Sequence, residues 1–313
     1  MVKVYIDGQE GTTGLKIMER FAVRNDIELL RIDEAKRKDP EERKKLINSS
    51  DFTFLCLPDT ASIEAVAMAE DRVRIIDAST AHRTNPDWAY GFPELSPEFR
   101  KKIETSNRVA VPGCYASGFA SIVYPLVNNG IIPADFPVFA YATSGYSGAG
   151  KKAIAVYEGE DKPFEFNSPR QYALSQQHKH LPEMKAVSGL EYTPMFNPII
   201  CDYFSGMVVS VPIQTRQLAN AVTAEQVHAM YEKHYAGSKM VEVMPLMSME
   251  EQKSFFLASN TLSGVNKLQV FVFGNDEQIL LCARLDNLGK GASGAAVQCL
   301  NIMMGIDETT GLV

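Results

Sequence analysis

A parallel α/β domain followed by an α+β domain with a largely antiparallel sheet is the fold this sequence predicts. Three observations predict it: a length of 313 residues, a first third in which apolar strand runs alternate with helical patterns, and a last third dominated by strands. The length exceeds the ~100 to 200 residues usual for one domain, so two are expected. Alternation of strand and helix favours parallel strands, because each crossover lays a helix on a face of the sheet.

Val2 to Ile6 alternates as a strand, Gly8 to Gly14 reads as a turn, and Leu15 to Asn25 as a helix with apolar positions three to four residues apart. Ile27 to Ile32 forms a second apolar run and Pro40 to Asn48 a charged helix, before Phe52 to Leu57 makes a strand that Pro58 stops. Ser62 to Glu70 and Val73 to Asp77 continue as helix and strand. Ala81 to Pro97 is rich in proline and aromatics and too interrupted for a regular element. Val109 to Val111 is one more strand, and a helix opening near Ala116 puts Cys114 where strand hands over to helix. Later come strands at Val138 to Thr143, Gly206 to Gln214, Leu268 to Phe273 and Gln278 to Leu285, the last two joined through Gly274 to Asp276 as an antiparallel hairpin. The closing stretch, DNLGKGASGAAVQCLNIMMG, runs from small residues into an apolar helix.

Composition narrows the function classes. With 45% hydrophobic and 22% charged residues, collagen, disorder and a disulfide scaffold are disfavoured. The 31 Lys and Arg against 38 Asp and Glu leave a net charge of −7, which gives no general attraction for nucleic acid or anionic lipid. Five cysteines, odd in number and without a CxxC pair, fit reduced thiols in the cytosol and point to no metal centre. The N-terminus enters a strand directly, and no apolar run reaches ~18 residues, so neither a secretory signal nor a membrane span is expected.

Chemistry concentrates in a few places. Gly8, Gly11 and Gly14 are spaced GxxGxxG in the first βα turn, where bare backbone lets a phosphate approach the amides of a helix N-terminus. Asp33, after the second strand, suits a ribose 2′-hydroxyl, whereas Lys36, Arg37 and Lys38 suit a 2′-phosphate; the residues alone leave NAD and NADP both open. Cys114, in VPGCYASG, sits at a helix start, whose positive end favours the thiolate that attacks carbonyl carbon. Cys56, Cys201, Cys282 and Cys299 lie in apolar patterns and read as core.

His178 and His180, in QQHKHLPEM, would face the same side of an extended segment, which suits a zinc pair or a base with a supporting neighbour; metal is the weaker reading, since no further Cys, Asp or Glu falls at a ligand spacing. His228 and His234 are six apart on a helix and read as surface residues. Gly145 to Lys152 spells GxxxxGKK, but the hydroxyl that a P-loop uses to hold magnesium is missing. Its glycines with Ser144, Ser147 and Lys151 could instead form a backbone nest for a substrate phosphate, and Arg83 could supply a bidentate fork for an anion.

In GQEGTTG, IIDASTAHR, GFPEL, VPGCYASG, GYSGAGKK, HKHLPEM and DNLGKGASGAAVQ, in that order over nearly the whole chain, the sequence resembles the short-form N-acetyl-gamma-glutamyl-phosphate reductases. These are relatives of aspartate-semialdehyde dehydrogenase and, more distantly, glyceraldehyde-phosphate dehydrogenase. Ala116 and Ser117 stand where longer members carry Pro and Thr. The resemblance implies a Rossmann NADP-binding domain of residues 1–113 with 290–313, and a catalytic and dimerisation domain of residues 114–289. It implies that Gly8, Gln9, Glu10, Gly11, Thr12, Thr13 and Gly14, with Lys36, Arg37, Pro58 and Ser79, hold NADPH, and that Asn287, Gly291 and Ala292 line its nicotinamide side.

By the same resemblance Cys114 attacks the acyl phosphate of N-acetyl-glutamyl 5-phosphate and leaves a thioester, which hydride reduces to the semialdehyde in arginine biosynthesis. His180, or alternatively His178, is the acid and base; Arg83, Ser144, Gly145, Ser147, Lys151 and Glu183 hold the substrate. A cytoplasmic homo-oligomer, dimer or tetramer, is implied. Two rival readings stand beside it: an aspartate-semialdehyde dehydrogenase, and a non-catalytic protein that senses a dinucleotide.

Overall fold

The computed structural model describes residues 1–312 and resolves them into two compact units, Met1–Gly113 with Ala292 onward, and Cys114–Gly291. The first unit runs β1 (Val2–Asp7), α1 (Thr12–Phe21), β2 (Ile27–Leu30), α2 (Pro40–Ser49), β3 (Phe52–Leu55), α3 (Asp59–Met68), β4 (Arg74–Asp77), β5 (Ala89–Tyr90), α4 (Pro97–Thr105) and β6 (Arg108–Ala110). Its six strands lie in the order β2-β1-β3-β4-β6-β5, and every pairing is parallel. Val4, Ile6, Phe54, Leu55, Ile75 and Ile76 are all buried, as a sheet covered on both faces requires. Strand order reverses between β1 and β3, which opens a crevice beyond their carboxyl ends, the usual ligand position in such sheets.

Several boundaries differ from expectation. Helix α1 starts at Thr12 because Gly11 is its extended N-cap, the Leu15 amide donating to the Gly11 carbonyl at 2.9 Å, so Gly14 lies inside the first turn. The stretch from Ala81 to Pro97 does carry a regular element: the two residues of β5 pair with Val109 and Ala110 of β6. Helix α4 follows, opened by the Ser96 hydroxyl, which accepts from the Phe99 amide, and by Pro97 in the first turn.

The second unit runs α5 (Cys114–Asn128), β7 (Phe139–Gly145), α6 (Lys151–Glu158), β8 (Arg170–Gln171), α7 (Leu181–Ser188), β9 (Met195–Cys201), β10 (Met207–Gln214), α8 (Ala224–His234), β11 (Val241–Val243), α9 (Met249–Ser254), β12 (Leu268–Gly274) and β13 (Gln278–Leu285). The sheet order is β11-β12-β13-β10-β7-β9-β8; β11 with β12 and β7 with β9 are parallel and the other pairings antiparallel. The chain then closes the first unit with α10 (Gly294–Met303), buried along its whole length.

Helix α5 is the centre of the second unit, buried from Tyr115 to Val123. It lies close on β10 because Gly118 has no side chain: a β-carbon there would fall 2.6 Å from Val209 Cγ2. Pro125 inside the helix has no amide to offer the Ser121 carbonyl four residues back. The Tyr235 hydroxyl donates to that carbonyl at 2.7 Å, and Tyr231 does the same for Ile122 at 2.7 Å. A break in α5 is thus repaired by two tyrosines of α8, Tyr231 inside that helix and Tyr235 at its C-cap. Among the described residues no helix is long and apolar enough to cross a membrane.

Candidate active site

In the first unit the turn after β1 and the loop after β3 enclose a cleft of about 370 Å³. Gly8 has φ +86, and a β-carbon on it would meet the Cys56 carbonyl oxygen at 2.4 Å, so the turn closes on β3 only with glycine. A β-carbon on Gly14 would fall 2.6 Å from the Gly8 carbonyl, which lets α1 begin directly against the turn. Gln9, Glu10 and Gly11 line the cleft from one side, Cys56 and Pro58 from the other. No acidic side chain occupies the first turn of α1, where Thr12 and Thr13 stand, so its positive end faces no carboxylate of its own.

The basic wall of the cleft is Arg37, Lys38 and Arg43. Lys36, expected there, instead approaches Glu42 at 3.7 Å and does not line the cleft. The short helical turn Glu34–Lys36 turns it outward, and Asp33 is used up in starting that turn, accepting from the Ala35 amide at 3.0 Å. Arg37 is paired with Glu10. Arg43, on α2, gave no sign in the sequence; its charge reads as a solvated face, yet it is buried against Asp7 at 2.9 Å. Burial pushes the Asp7 carboxyl up from its ordinary range, with Arg43 pulling the other way. Cys56 is only partly buried and lines the cleft, so its assignment to the core fails. Burial of its sulfur, aided by the carboxylates of Asp77 and Asp7, pushes the thiol up to about 12.

The loop after β4 is tied down by carboxylates. Asp77 accepts from the Ser79 amide and hydroxyl at 2.9 and 2.7 Å, from Ser62 at 3.1 Å and from His82 Nδ1 at 2.6 Å. His82 stacks on Trp88 with ring centres 4.0 Å apart. Ser79 is therefore a buried brace within this loop. Arg83 donates through Nε to the Val111 carbonyl at 2.9 Å and through Nη2 to the Ala78 carbonyl at 3.0 Å, so part of its expected fork is engaged with backbone.

In the second unit Cys114 is the first residue of α5. From Val109 to Val123 it alone is not buried, a partly exposed residue in a run that is otherwise packed. The fifteen-residue helix behind it directs its positive end and its first amides to this position. Gly291 packs against it, a β-carbon there falling 2.8 Å from Cys114 Cβ.

His178 and His180 are brought together beside this helix start. They lie in a turn rather than an extended segment, because His180 is already helical at φ −86 and serves as the N-cap of α7. The His180 amide donates to His178 Nδ1 at 3.1 Å, and the two rings are 4.8 Å apart. An Nδ1 that accepts leaves the proton on Nε2, and burial lowers His178 to about 4. Tyr115 packs on both rings, 5.6 Å from His178 and 5.9 Å from His180. Its hydroxyl accepts from Tyr172 at 3.0 Å and bonds Ser144. Burial raises both tyrosines far above their ordinary value, and a negative charge on Cys114 would raise them further. Glu183 is buried in the first turn of α7. Neither tyrosine was singled out in the sequence, since nothing local marks Tyr172 as a neighbour of Tyr115.

The glycine loop does not form the expected nest with its first amides. Those of Gly145, Tyr146 and Ser147 donate to the carbonyls of Gly206, Tyr203 and Phe204 at 2.9 to 3.0 Å. A β-carbon on Gly145 would meet the Phe204 carbonyl at 2.5 Å, so this glycine serves strand packing. Ser144 and Ser147 are buried, whereas Lys151, at the start of α6, is exposed. Asn287 braces the loop, donating to the Ser147 hydroxyl at 2.9 Å and accepting from the Gly206 amide at 2.8 Å. Its amide is engaged with protein on both ends. Ala292 belongs to the first unit. His228, expected on the surface, is buried, with Nε2 donating to the Met244 carbonyl at 2.8 Å.

A parallel-sheet unit with a glycine-lined cleft and a mixed-sheet unit opening on a partly exposed helix-start cysteine define a semialdehyde dehydrogenase. Residues 3–103 match the semialdehyde dehydrogenase NAD binding domain, and residues 114–287 match its dimerisation domain. The fold is shared with the aspartate semialdehyde dehydrogenase of Francisella tularensis at a TM-score of 0.72 and 15% identity, over 97% of this chain and 100% of that one. It is shared equally with aspartate semialdehyde dehydrogenase II of Vibrio cholerae, at a TM-score of 0.71 and 16% identity, over 97% and 98% of the two chains. Sequence carries the assignment further. The chain is 46% identical to N-acetyl-gamma-glutamyl-phosphate reductase 2 of Nostoc sp. over 99% of both proteins, and 47% identical to the reductase of Sinorhizobium medicae over 96% and 98%. It belongs to the N-acetyl-gamma-glutamyl-phosphate reductase family.

Proposed function

We propose that this protein reduces N-acetyl-glutamyl 5-phosphate to N-acetyl-glutamate 5-semialdehyde with NADPH, through a thioester on Cys114. The observation that carries the reading is Cys114 itself, the single residue left partly exposed in a buried run and placed at the first turn of α5. The Cys114 thiolate adds to the acyl carbon, and phosphate leaves with the electron pair of the broken C–O bond. A bound nicotinamide dinucleotide supplies hydride. The C–S bond then breaks, and Cys114 is regenerated as the aldehyde forms. Amides at the start of α5 face the oxyanion of each tetrahedral stage, a contribution of ~3 kcal/mol per donor in comparable sites.

His178, lowered to about 4 by burial and accepting at Nδ1, stays neutral at physiological pH and orients His180. His180 moves the proton, taking it from the Cys114 thiol and returning it as the sulfur leaves. Arg83 and the Ser144–Lys151 loop hold the substrate's anionic groups, and Glu183 accepts from a donor group of the substrate. The dinucleotide fits the first unit's cleft, where Gly8, Gly11 and the start of α1 take the pyrophosphate. Arg37 and Lys38, with Asp33 withdrawn as a cap, favour a 2′-phosphate and hence NADP over NAD. We place the reaction in the reducing cytosol, within arginine biosynthesis, and the second unit at the interface of a homo-oligomer.

The test is NADP-dependent oxidation of N-acetyl-glutamate semialdehyde in the presence of phosphate, run beside aspartate semialdehyde. A preference for the acetylated substrate is expected. Turnover of aspartate semialdehyde alone would transfer the protein to the rival substrate, and dinucleotide binding without turnover of either would leave a sensor.

A further inference from the structure

We propose that Gln176 is a positioning residue that fixes His178 and His180 beside Tyr115 by substituting its side-chain amide for a missing rung of the second sheet, a role that rests on the reading of Cys114 and His180 above. Strand β8 pairs with β9 so that Arg170 faces Ile200 and Gln171 faces Ile199, and the Tyr172 amide still donates to the Pro198 carbonyl at 3.2 Å. Continued in this register, residue 174 would face Phe196. The chain leaves the sheet instead: Ala173 has φ +52 and Gln176 φ +57, and the Gln176 amide closes a turn on the Ala173 carbonyl at 3.0 Å.

The vacated rung is filled by the Gln176 side chain. Its Nε2 donates to the Phe196 carbonyl at 3.0 Å, and its Oε1 accepts from the Phe196 amide at 3.0 Å. A carboxamide presents the same donor and acceptor pair as a peptide group, so the edge of β9 is satisfied without the strand that would satisfy it. Two non-glycine residues in the left-handed region persist only where surrounding contacts over-determine them, and strain of this kind collects at functional sites.

What the device positions is next to it in the chain and in space. His178 follows Gln176 by two residues, and its ring lies 5.3 Å from the Phe196 ring, to whose backbone Gln176 is bonded. Phe196 also packs on Tyr115 at 5.1 Å. The His178 carbonyl then accepts from the Leu181 amide at 3.0 Å, so the segment pinned at Gln176 passes without slack into α7. A strand continuing along β9 would carry this segment along the sheet edge, away from the turn that holds both rings.

The experiment compares Gln176→Gly and Gln176→Asn with the full-length wild-type protein. Glycine accepts the left-handed backbone and removes the amide; asparagine also tolerates that backbone and keeps an amide one methylene too short to span both bonds. Both variants are expected to melt near the wild-type temperature and to bind NADPH within about two-fold, while kcat falls ~10-fold or more, as misplacement of a reacting group produces. In the histidine NMR titration of the same samples, His178 should lose its depressed value and move toward the ordinary imidazole range. Wild-type kcat together with an unmoved His178 titration in both variants would overturn the proposal. Turnover that survives Cys114→Ser in an otherwise wild-type chain would instead overturn the thioester reading, and the His178 titration would still decide the role of Gln176.

Discussion

A β-carbon placed on Gly291 would lie 2.8 Å from the β-carbon of Cys114 and 3.0 Å from the Asp286 carbonyl oxygen, while the Gly291 amide donates to that same carbonyl at 2.9 Å. Gly291 is thus clamped between the first residue of α5 and the end of the β13 segment. Its lack of a side chain sets how far the sulfur can project. Gly291→Ala is expected to displace Cys114, lowering kcat by ~10 to 100-fold and costing about 1 to 3 kcal/mol of stability through overpacking. Steady-state kinetics with a thermal melt checks this, and an alanine variant with wild-type kcat would show that the contact places nothing.

Cys114→Ser should abolish reduction and leave NADPH affinity near that of the wild type, because the dinucleotide cleft is built from residues of the other unit. Serine keeps the helix start and removes the thiolate. Equilibrium binding beside a turnover assay separates the two effects.

His178 titrates in a way that stability can read. Burial lowers His178 to about 4, while the unfolded chain titrates near 6.5. Between these values the unfolded chain binds the extra proton, so stability is expected to fall as pH drops from about 6.5 toward 4 and to be unaffected by this group above that window. His178→Asn should flatten that part of the stability curve. His180→Asn should cost more in kcat than His178→Asn, and the reverse order in steady-state kinetics would reassign the base.

What the sequence made legible follows the range of the forces involved. The parallel sheet was readable because each βα unit is patterned locally, and Cys114 because VPG before it and the apolar helix after it mark a strand-to-helix junction in one short window. Tyr172 was not readable: its hydroxyl meets Tyr115 only through the register of β8 on β9. His228 has the spacing of a surface residue, yet it is buried with a bond to the Met244 carbonyl, which adjoins β11. Lys36 and Arg43 were misplaced for a similar reason, since Asp33 starts a helical turn that swings Lys36 outward while α2 carries Arg43 in toward Asp7. The start of α4 is the opposite case, for Ser96 and Pro97 form a local helix-start signal within the sequence itself.

Arg37 and Lys38 are the basic side chains that could meet a 2′-phosphate without breaking a buried ion pair, in contrast to Arg43 on Asp7. Arg37→Ala is expected to weaken NADPH binding by about 10 to 100-fold, the range for losing a charge-assisted hydrogen bond. NADH binding should hardly change. Because Glu10 pairs with Arg37, Glu10→Gln should tighten NADPH binding, as a phosphate would no longer compete with a carboxylate for the guanidinium. Equal losses for both dinucleotides in the Arg37 variant would place the 2′-phosphate elsewhere.

Cys56 and Cys114 differ in how their surroundings treat a thiolate. Cys56 lines the dinucleotide cleft, but burial beside Asp77 and Asp7 pushes its thiol up to about 12, so at neutral pH it is almost wholly protonated and unreactive. Cys114 stands at the positive end of α5, which favours the thiolate. Iodoacetamide at pH 7 should therefore modify Cys114 first, and its rate should climb through a titration below the free-cysteine range of about 8.5. Cys56 should react slowly, and saturating NADPH should slow it further by occupying the cleft. Mass spectrometry of digested protein at several pH values reads both sites in one experiment. Fast labelling of Cys56 would contradict the local electrostatics, since two nearby carboxylates oppose a thiolate there. A Cys114 that titrates as an ordinary thiol would remove the activated nucleophile and favour a protein that binds the dinucleotide without turning over an acyl phosphate.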